Sequence, residues 1–314
     1  MADILYIVVP CYNEEEVLPE TAKRLVAKLS AMIGAGVVAE KSRILFVNDG
    51  SRDKTWQLIG QLHGENSLIS GLDLSRNRGH QNAVLAGLMV AKERADAVIS
   101  MDADLQDDID AVDGMMAEYY EGCDIVYGVR SSRETDSAFK RGTAQAFYKL
   151  TNRLGGEVVY NHADYRLMSR RALEALKEYG EVNLFLRGIV PMLGYKTGVV
   201  TYERAERFAG ESKYPLKKML AFALEGITSL STRPIRFITW LGVGMFLISI
   251  GMLAYILLRF SGGHTVEGWS FITVSLWGIG GLILLSLGVL GEYIGKIYLE
   301  SKHRPRYHLR EILE

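Results

Sequence analysis

The stretch Val98 to Asp108, "VISMDADLQDD", decides how this chain folds. Apolar or small residues run straight into a cluster of carboxylate and amide side chains. Two readings compete: a solvated loop after a buried strand, or a site built to hold a cation. Either way the apolar run reads as a short strand buried in a sheet, with its polar cluster at the carboxyl end.

Working outward, "ILYIVVP", "SRILFVND", "LISGLDLS" and "DIVYGV" read as further strands, and helical patterns intervene around 14 to 33, 53 to 64, 80 to 94 and 110 to 121. This alternation predicts an α/β domain with a largely parallel sheet covered by helices on both faces. In such sheets ligands collect beyond the carboxyl ends of the strands. The polar clusters fall there: "PCYNEEE", "NDGSRD", "SRNRGHQN", "DADLQDD" and "RSSR", one after each strand. Single clusters are ordinary turn chemistry, but five in succession on one edge point to a site. Asp53 is suited to cap the helix after it, which leaves Asn48, Asp49 and Gly50 freer to meet ligand.

With 48% hydrophobic and 23% charged residues, the chain has the composition of a packed protein. A net charge of -1 excludes a general nucleic-acid binder, which would carry a basic excess. Cys11 and Cys123 lack metal-ligand spacing and read as small core residues in a reducing compartment. The start "MADILYIVVP" has no basic leader and reads as a first strand rather than a secretory signal.

Toward the C-terminus the pattern changes. Residues 237–258 and 268–291 carry no formal charge. At about 1.5 Å of rise per residue, each run exceeds the roughly 30 Å of bilayer hydrocarbon and predicts a transmembrane helix. Arg233 and Arg236 precede the first run, and Lys296, Lys302, Arg304, Arg306 and Arg310 follow the second, whereas the connection between them holds only Arg259 as a firm positive charge. That asymmetry places both termini on the cytoplasmic side. Trp240 and Trp269 are candidate interface anchors. Glycines at 242, 244, 251, 278, 280, 281, 288 and 291 allow close helix contact, within a hairpin or between copies of a homo-oligomer. Residues 214–235 carry a helical apolar stripe with Lys217 and Lys218 near one end, which suits a helix lying against headgroups or one packed in a core.

The chemistry centres on Asp102, Asp104 and Gln106. An extended i, i+2, i+4 stretch points all three to one side, giving hard oxygen donors suited to Mg2+ or Mn2+ bridging a diphosphate. Asp107, Asp108 and Asp110 are expected to cap or solvate the following helix.

Together, "VVPCYNEEEVL", "FVNDGSRDKT", "LSRNRGHQNAVLAGL", "MDADLQD", "DYRLMSR" and "RFAGESKY", followed by two apolar spans, resemble glycosyltransferase family 2, and within it the polyprenyl-phosphate glycosyltransferases. The resemblance runs from Ile7 to about Gly295 with the motifs in family order. It implies a GT-A nucleotide-sugar fold over 1–213, a juxtamembrane helix over 214–235, a transmembrane hairpin over 236–295 and a basic cytoplasmic tail over 296–314. It further implies an inverting transfer from a nucleotide-diphosphate sugar, UDP-glucose-like, to a polyprenyl phosphate such as undecaprenyl phosphate, at the cytoplasmic face of the bacterial inner membrane.

Carried over motif by motif, Pro10, Tyr12, Asn13 and Glu15 line the base and ribose pocket, Asp49 contacts the base, and Asp102 lies toward the ribose. Asp104 and Gln106 hold the metal. Arg207, Ser212 and Lys213 close over the diphosphate, and Arg130, Arg133 and Arg141 are candidates for the acceptor phosphate. Asp164 occupies the place of a catalytic base, but a phosphate acceptor is already mostly ionised at pH 7 and needs little proton abstraction. Its role therefore stays open between base, acceptor positioning and metal support. Arg166 either pairs with Asp164 or touches ligand, and His80 and His162 are read as structural. Arg78 departs from the aromatic residue usual in that motif. Two other readings are a transferase acting on another membrane lipid, such as diacylglycerol, and a scaffold that keeps only the fold. A processive polymerase is disfavoured, since no Gln-x-x-Arg-Trp motif is present.

Overall fold

The computed structural model describes residues 2–130, 162–182, 184–203, 233–261 and 268–314. Strands β1 (Leu5–Cys11), β2 (Arg43–Asn48), β3 (Ile69–Leu74), β4 (Ala97–Ser100) and β5 (Ile125–Arg130) alternate with helices α1 (Leu18–Gly34), α2 (Thr55–Glu65), α3 (His80–Ala91) and α4 (Ala111–Tyr120). These agree with the periodicity to within a few residues at each end. Continuous apolar runs such as "LYIVVPC" are buried along their whole length, as strands covered on both faces must be. Beyond them come β6 (His162–Ser169), α5 (Arg170–Lys177), α6 (Leu186–Met192), β7 (Thr197–Tyr202), two long helices, α7 (Arg233–Ser261) and α8 (Trp269–Ser301), and a last strand, β8 (Leu309–Leu313).

The sheet has eight strands in the order β7-β5-β6-β4-β1-β2-β3-β8. It is mixed rather than simply parallel. β6 inserts antiparallel between β4 and β5, with Arg166 opposite both Ser100 and Tyr127, and β8 lies antiparallel along β3. Helices α1, α2 and α4 cover one face over a core that includes Leu25, Phe46, Ile59 and Met115. The other face packs α3, α5 and α6 over Val8, Leu88, Leu173 and Ile189. Helix α3 approaches β1 and β2 closely because residue 87 is glycine: a Cβ there would lie 2.4 Å from Val8 Cγ1. That closeness seats the α3 N-terminus against the carboxyl ends of the central strands.

The tail differs from expectation. Read from sequence as a basic extension, it instead folds back as β8 on the sheet edge, where Leu72 pairs with Ile312 and Gly71 with Leu313. The run "LREIL" has no period-2 alternation, and a five-residue, mostly exposed strand after a long helix gives little signal by itself. Helices α7 and α8 span 29 and 33 residues and expose Trp240, Leu258, Leu276 and Leu284. Among the described residues, Gly278–Ser301 is long and apolar enough to cross a membrane.

Candidate active site

The carboxyl ends of β1 to β5, the start of β6 and the α3 N-terminus lie at one edge of the sheet. After β1, the Tyr12–Glu15 turn is tied to the loop after β2 by side chain–backbone bonds. Asn13 takes a left-handed backbone (φ 56°), its amide donates to Ser51 Oγ at 3.0 Å, and its Oδ1 accepts from Arg52 N at 2.9 Å. Glu15 Oε2 accepts from Lys54 N at 3.0 Å. Asn13 and Glu15 thus spend their side chains shaping the pocket, whereas Tyr12 stands 42% exposed beside it. Pro10 is buried within β1. Asp53 Oδ1 accepts from Thr55 N at 3.0 Å and from Thr55 Oγ1 at 2.6 Å, the helix-start role expected of it.

Asp49 is buried and accepts from the amides of Arg78 (2.6 Å) and Gly79 (2.9 Å). Burial raises its carboxyl pKa, although those two amides and the nearby charges of His80 and Arg78 favour the ionised form. The loop after β3 can wrap this closely only because residue 50 is glycine: its φ is 62°, and a Cβ would sit 2.4 Å from Asn77 N.

Asp102, Asp104 and Gln106 are half-buried, while Ala103 and Leu105 between them, and Asp107 after them, are buried. Burial alternates along this stretch, but not because of the expected extended strand. β4 ends at Ser100, and a turn with left-handed Leu105 (φ 57°) produces the alternation. Asp107 also departs from expectation. Rather than solvating α4, it is 3% exposed, accepts from the Tyr202 hydroxyl and lies 3.5 Å from Arg130 NH2. Asp110 instead pairs with Lys28 at 2.7 Å. Asp108 accepts from Asp110 N at 2.9 Å.

Because β6 runs antiparallel beside β4, Asp164 arrives next to Asp102; Ser100 Oγ donates to the Asp164 carbonyl at 2.8 Å. Its carboxylate is enclosed by cations. Arg187 Nε meets Oδ1 at 3.1 Å and NH2 meets Oδ2 at 3.0 Å, while Arg166 NH2 meets Oδ1 at 2.6 Å. His80 Nε2, at the first position of α3, lies 3.5 Å from Asp164 and 3.7 Å from Asp102. Burial pushes the Asp164 carboxyl upward, yet Arg187, His80 and Arg166 outweigh it and hold the pKa well below the usual carboxylate range. Asp102 has the opposite balance. Burial raises it to about 6, and Asp107, Asp164 and Asp104 add to the rise against His80. Its side chain nevertheless stays 38% exposed.

Of the residues expected in the site, Tyr12, Asn13, Glu15, Asp49, Asp102, Asp104, Gln106, Arg130 and Asp164 lie at or beside these strand ends. Arg133, Arg141, Arg207, Ser212 and Lys213, like the 214–232 part of the juxtamembrane helix, lie outside the described residues. Arg187, Tyr202 and Asp107 were missed from sequence, and His80 was read as structural. The signal for Arg187 was an arginine within the apolar "LFLRGIV", and such a cation needs a buried anion to pair with.

Among the described residues, no group of three or more His, Cys, Asp or Glu side chains is arranged to hold a metal. The residues expected to hold an ion, Asp102, Asp104 and Gln106, lie half-buried in the turn after β4, and their oxygens are of the kind a magnesium-like ion takes when substrate phosphates complete its shell.

The sequence profile of "Glycosyl transferase family 2" matches residues 6–177, the span that contains every strand end just described except that of β7. The chain belongs to this family. As a family 2 glycosyltransferase it is 55% identical over 308 residues to the uncharacterized glycosyltransferase YkoT of Bacillus subtilis (strain 168), covering 97% of this chain and 90% of the relative. It is 42% identical over 308 residues to the bactoprenol glucosyl transferase of Shigella phage SfV, covering 97% of each chain. Among solved structures, a mycobacterial protein aligns with a TM-score of 0.50 at 17% identity, over 73% of this chain and 74% of that one, a likeness of fold alone. This glycosyltransferase thus has the GT-A-like α/β architecture, with a mostly parallel mixed sheet.

Proposed function

We propose that the enzyme transfers a sugar, with inversion, from a nucleotide-diphosphate sugar of the UDP-glucose type to a polyprenyl phosphate such as undecaprenyl phosphate, at the cytoplasmic face of the bacterial inner membrane. The observation that carries this reading is the state of Asp164. A hydroxyl acceptor needs a carboxylate free to take its proton. Asp164 is clamped by Arg187 and Arg166 and held strongly acidic, which makes it a poor base. A phosphate acceptor is already an anion at neutral pH and requires none. The bactoprenol glucosyl transferase relatives, matching over nearly the whole chain, support the same acceptor class.

In this reading the Tyr12–Glu15 and Asp49–Asp53 loops hold the nucleoside, with Pro10 beneath them. Asp102, Asp104 and Gln106 would hold Mg2+ or Mn2+, which would supply positive charge against the departing diphosphate. Arg130 faces the acceptor phosphate from the end of β5, oriented by Asp107 and Tyr202, and Arg133 and Arg141 are assigned to the same phosphate. Arg207, Ser212 and Lys213 are assigned to the donor diphosphate. The acceptor oxygen attacks the anomeric carbon as the bond to the nucleoside diphosphate breaks, and fixed guanidinium groups stabilise the spreading negative charge.

Topology supports the membrane hairpin. The first strands and β8 belong to one sheet, so the chain that leaves after β7 returns to the same side. If α8 crosses a bilayer, a second crossing is required, and α7 has the length for it. The test incubates purified enzyme with undecaprenyl phosphate, Mn2+ or Mg2+, and a panel of nucleotide sugars. A charged glycolipid is expected with one donor, and its absence with every donor overturns the proposal.

A further inference from the structure

The C-terminal strand reaches the donor loops by two routes. Arg310 NH1 lies 3.1 Å from Asp73 Oδ2, near enough to compensate its charge although the N–H is not aimed for a hydrogen bond. Asp73 is completely buried, and its other oxygen accepts from Asn48 Nδ2 at 2.7 Å. Asn48 Oδ1 in turn accepts from Ser51 N at 3.2 Å, and Ser51 Oγ accepts from Asn13 N at 3.0 Å. The second route runs through the loop after β3. Ser75 is held from both sides by the tail, its N–H donating to the His308 carbonyl at 2.9 Å and its carbonyl accepting from Arg310 NH2 at 2.8 Å. The same loop then packs against Gly50 and gives the Arg78 and Gly79 amides to Asp49.

Both routes start at Arg310, and both end on the loops that frame the donor pocket. Arg310 is also the cation placed against the buried Asp73 carboxylate, directly beneath the Asn48–Asp49 corner. A buried carboxylate that loses its cation either draws in water or shifts toward other donors, and here the nearest donor is Asn48. We propose that β8, through Arg310, is a positioning element of the donor-nucleotide site, so that the segment following the last apolar helix sets how tightly the nucleotide sugar is held. The assignment rests on the donor reading of the Asp49 loop given above.

The test uses the full-length enzyme in detergent or nanodiscs and measures UDP affinity by calorimetry, together with the donor and acceptor KM. Arg310→Ala is expected to weaken UDP binding and raise donor KM about tenfold, with acceptor KM and kcat within about twofold; Arg310→Lys recovers part of the loss. Lys302→Ala, which removes a tail cation resting on the Tyr298 ring, serves as the charge control and leaves both KM values unchanged. Should Arg310→Ala fold poorly, Asp73→Asn/Arg310→Ala removes the charge at both ends of the pair and is expected to fold while keeping the part of the donor defect that runs through Ser75. Asp49→Asn separates the two ideas. A donor defect in Asp49→Asn with none in either Arg310 variant overturns the role of the tail and leaves the donor loop standing. Normal UDP affinity in Asp49→Asn overturns the donor-loop reading, and the tail assignment with it. Equal losses in donor and acceptor KM would make Arg310 a general support of the fold and also reject the positioning role.

Discussion

Arg187 grips Asp164 at two points, Nε to Oδ1 at 3.1 Å and NH2 to Oδ2 at 3.0 Å, from a helix that begins only one residue earlier. With Arg166 on the other side at 2.6 Å, the carboxylate is enclosed by two guanidinium groups, and the proposed function makes it an anchor of that cationic wall rather than a proton acceptor. Arg187→Ala and Asp164→Asn should therefore lose activity together, each by on the order of 10²-fold in kcat/KM, and the double variant should be little worse than either. Arg187→Lys should recover little, because an ammonium cannot reproduce the two-point fork. A loss in Asp164→Asn far exceeding that in Arg187→Ala would return Asp164 to the role of base.

Chelation should abolish product formation, and Mn2+ or Mg2+ should restore it. In the proposed scheme Asp102, Asp104 and Gln106 would hold the ion with few protein ligands, so a chelator should win it when substrate phosphates are absent. Asp104→Asn is expected to raise the metal concentration needed for half-maximal rate. Asp107→Asn, at the buried neighbour, should leave that concentration alone and lower the melting midpoint. Activity that survives exhaustive chelation would remove the metal from the scheme.

Stability at acid pH should depend on Asp124. Its carboxylate accepts from Ser169 Oγ at 2.8 Å and from Arg171 Nε at 3.1 Å, with Arg171 NH2 also in contact. Burial opposes ionisation here, but Arg171 and Ser169 outweigh it and lower the pKa. A depressed carboxyl pKa stabilises the folded state above the unfolded value, near 3.9, and that contribution disappears as pH falls through the folded value. Asp124→Asn should therefore cost about 1–2 kcal/mol at pH 7, toward the low side because Arg171 is mostly exposed. The gap between the two proteins should narrow below about pH 4 in thermal melts. A gap independent of pH would show that shape, not charge, is what the substitution removes.

The sheet edge was readable because it depends on local pattern. Buried runs such as "LYIVVPC" and the polar clusters after them mark strand ends without knowledge of what lies alongside. Asp102, Asp104 and Asp49 were found in that way. What pairs with them was not readable, because pairing is set by topology: β6 enters antiparallel, and only that insertion carries Asp164 to Asp102 and brings Arg166 opposite Ser100 and Tyr127. Arg187 and His80 reach the same carboxylate from two other helices across long sequence separations. Asp107 was misread for a related reason. Its position in an acidic run suggests solvent, but Tyr202, at the end of a strand the periodicity did not reveal, covers it. The tail strand escaped notice because its partner, β3, lies more than two hundred residues earlier.

That covering contact gives a last test. Tyr202 donates its hydroxyl to Asp107 and also lies 3.4 Å from Arg130 Nε, so one phenol holds both members of the Asp107–Arg130 pair. Tyr202→Phe keeps the ring and its edge-on contact with Tyr165 but leaves a carboxylate, 3% exposed, short of a donor. The expected cost is about 1–3 kcal/mol of stability, the penalty for an unmet buried polar group. Asp107 should then draw Arg130 inward, because the guanidinium already lies 3.5 Å away. If Arg130 meets the acceptor phosphate, the acceptor KM should rise several-fold while the donor KM holds. Urea unfolding and steady-state kinetics on the same preparation report both effects. A rise in donor KM instead would move Arg130 to the diphosphate side of the cleft.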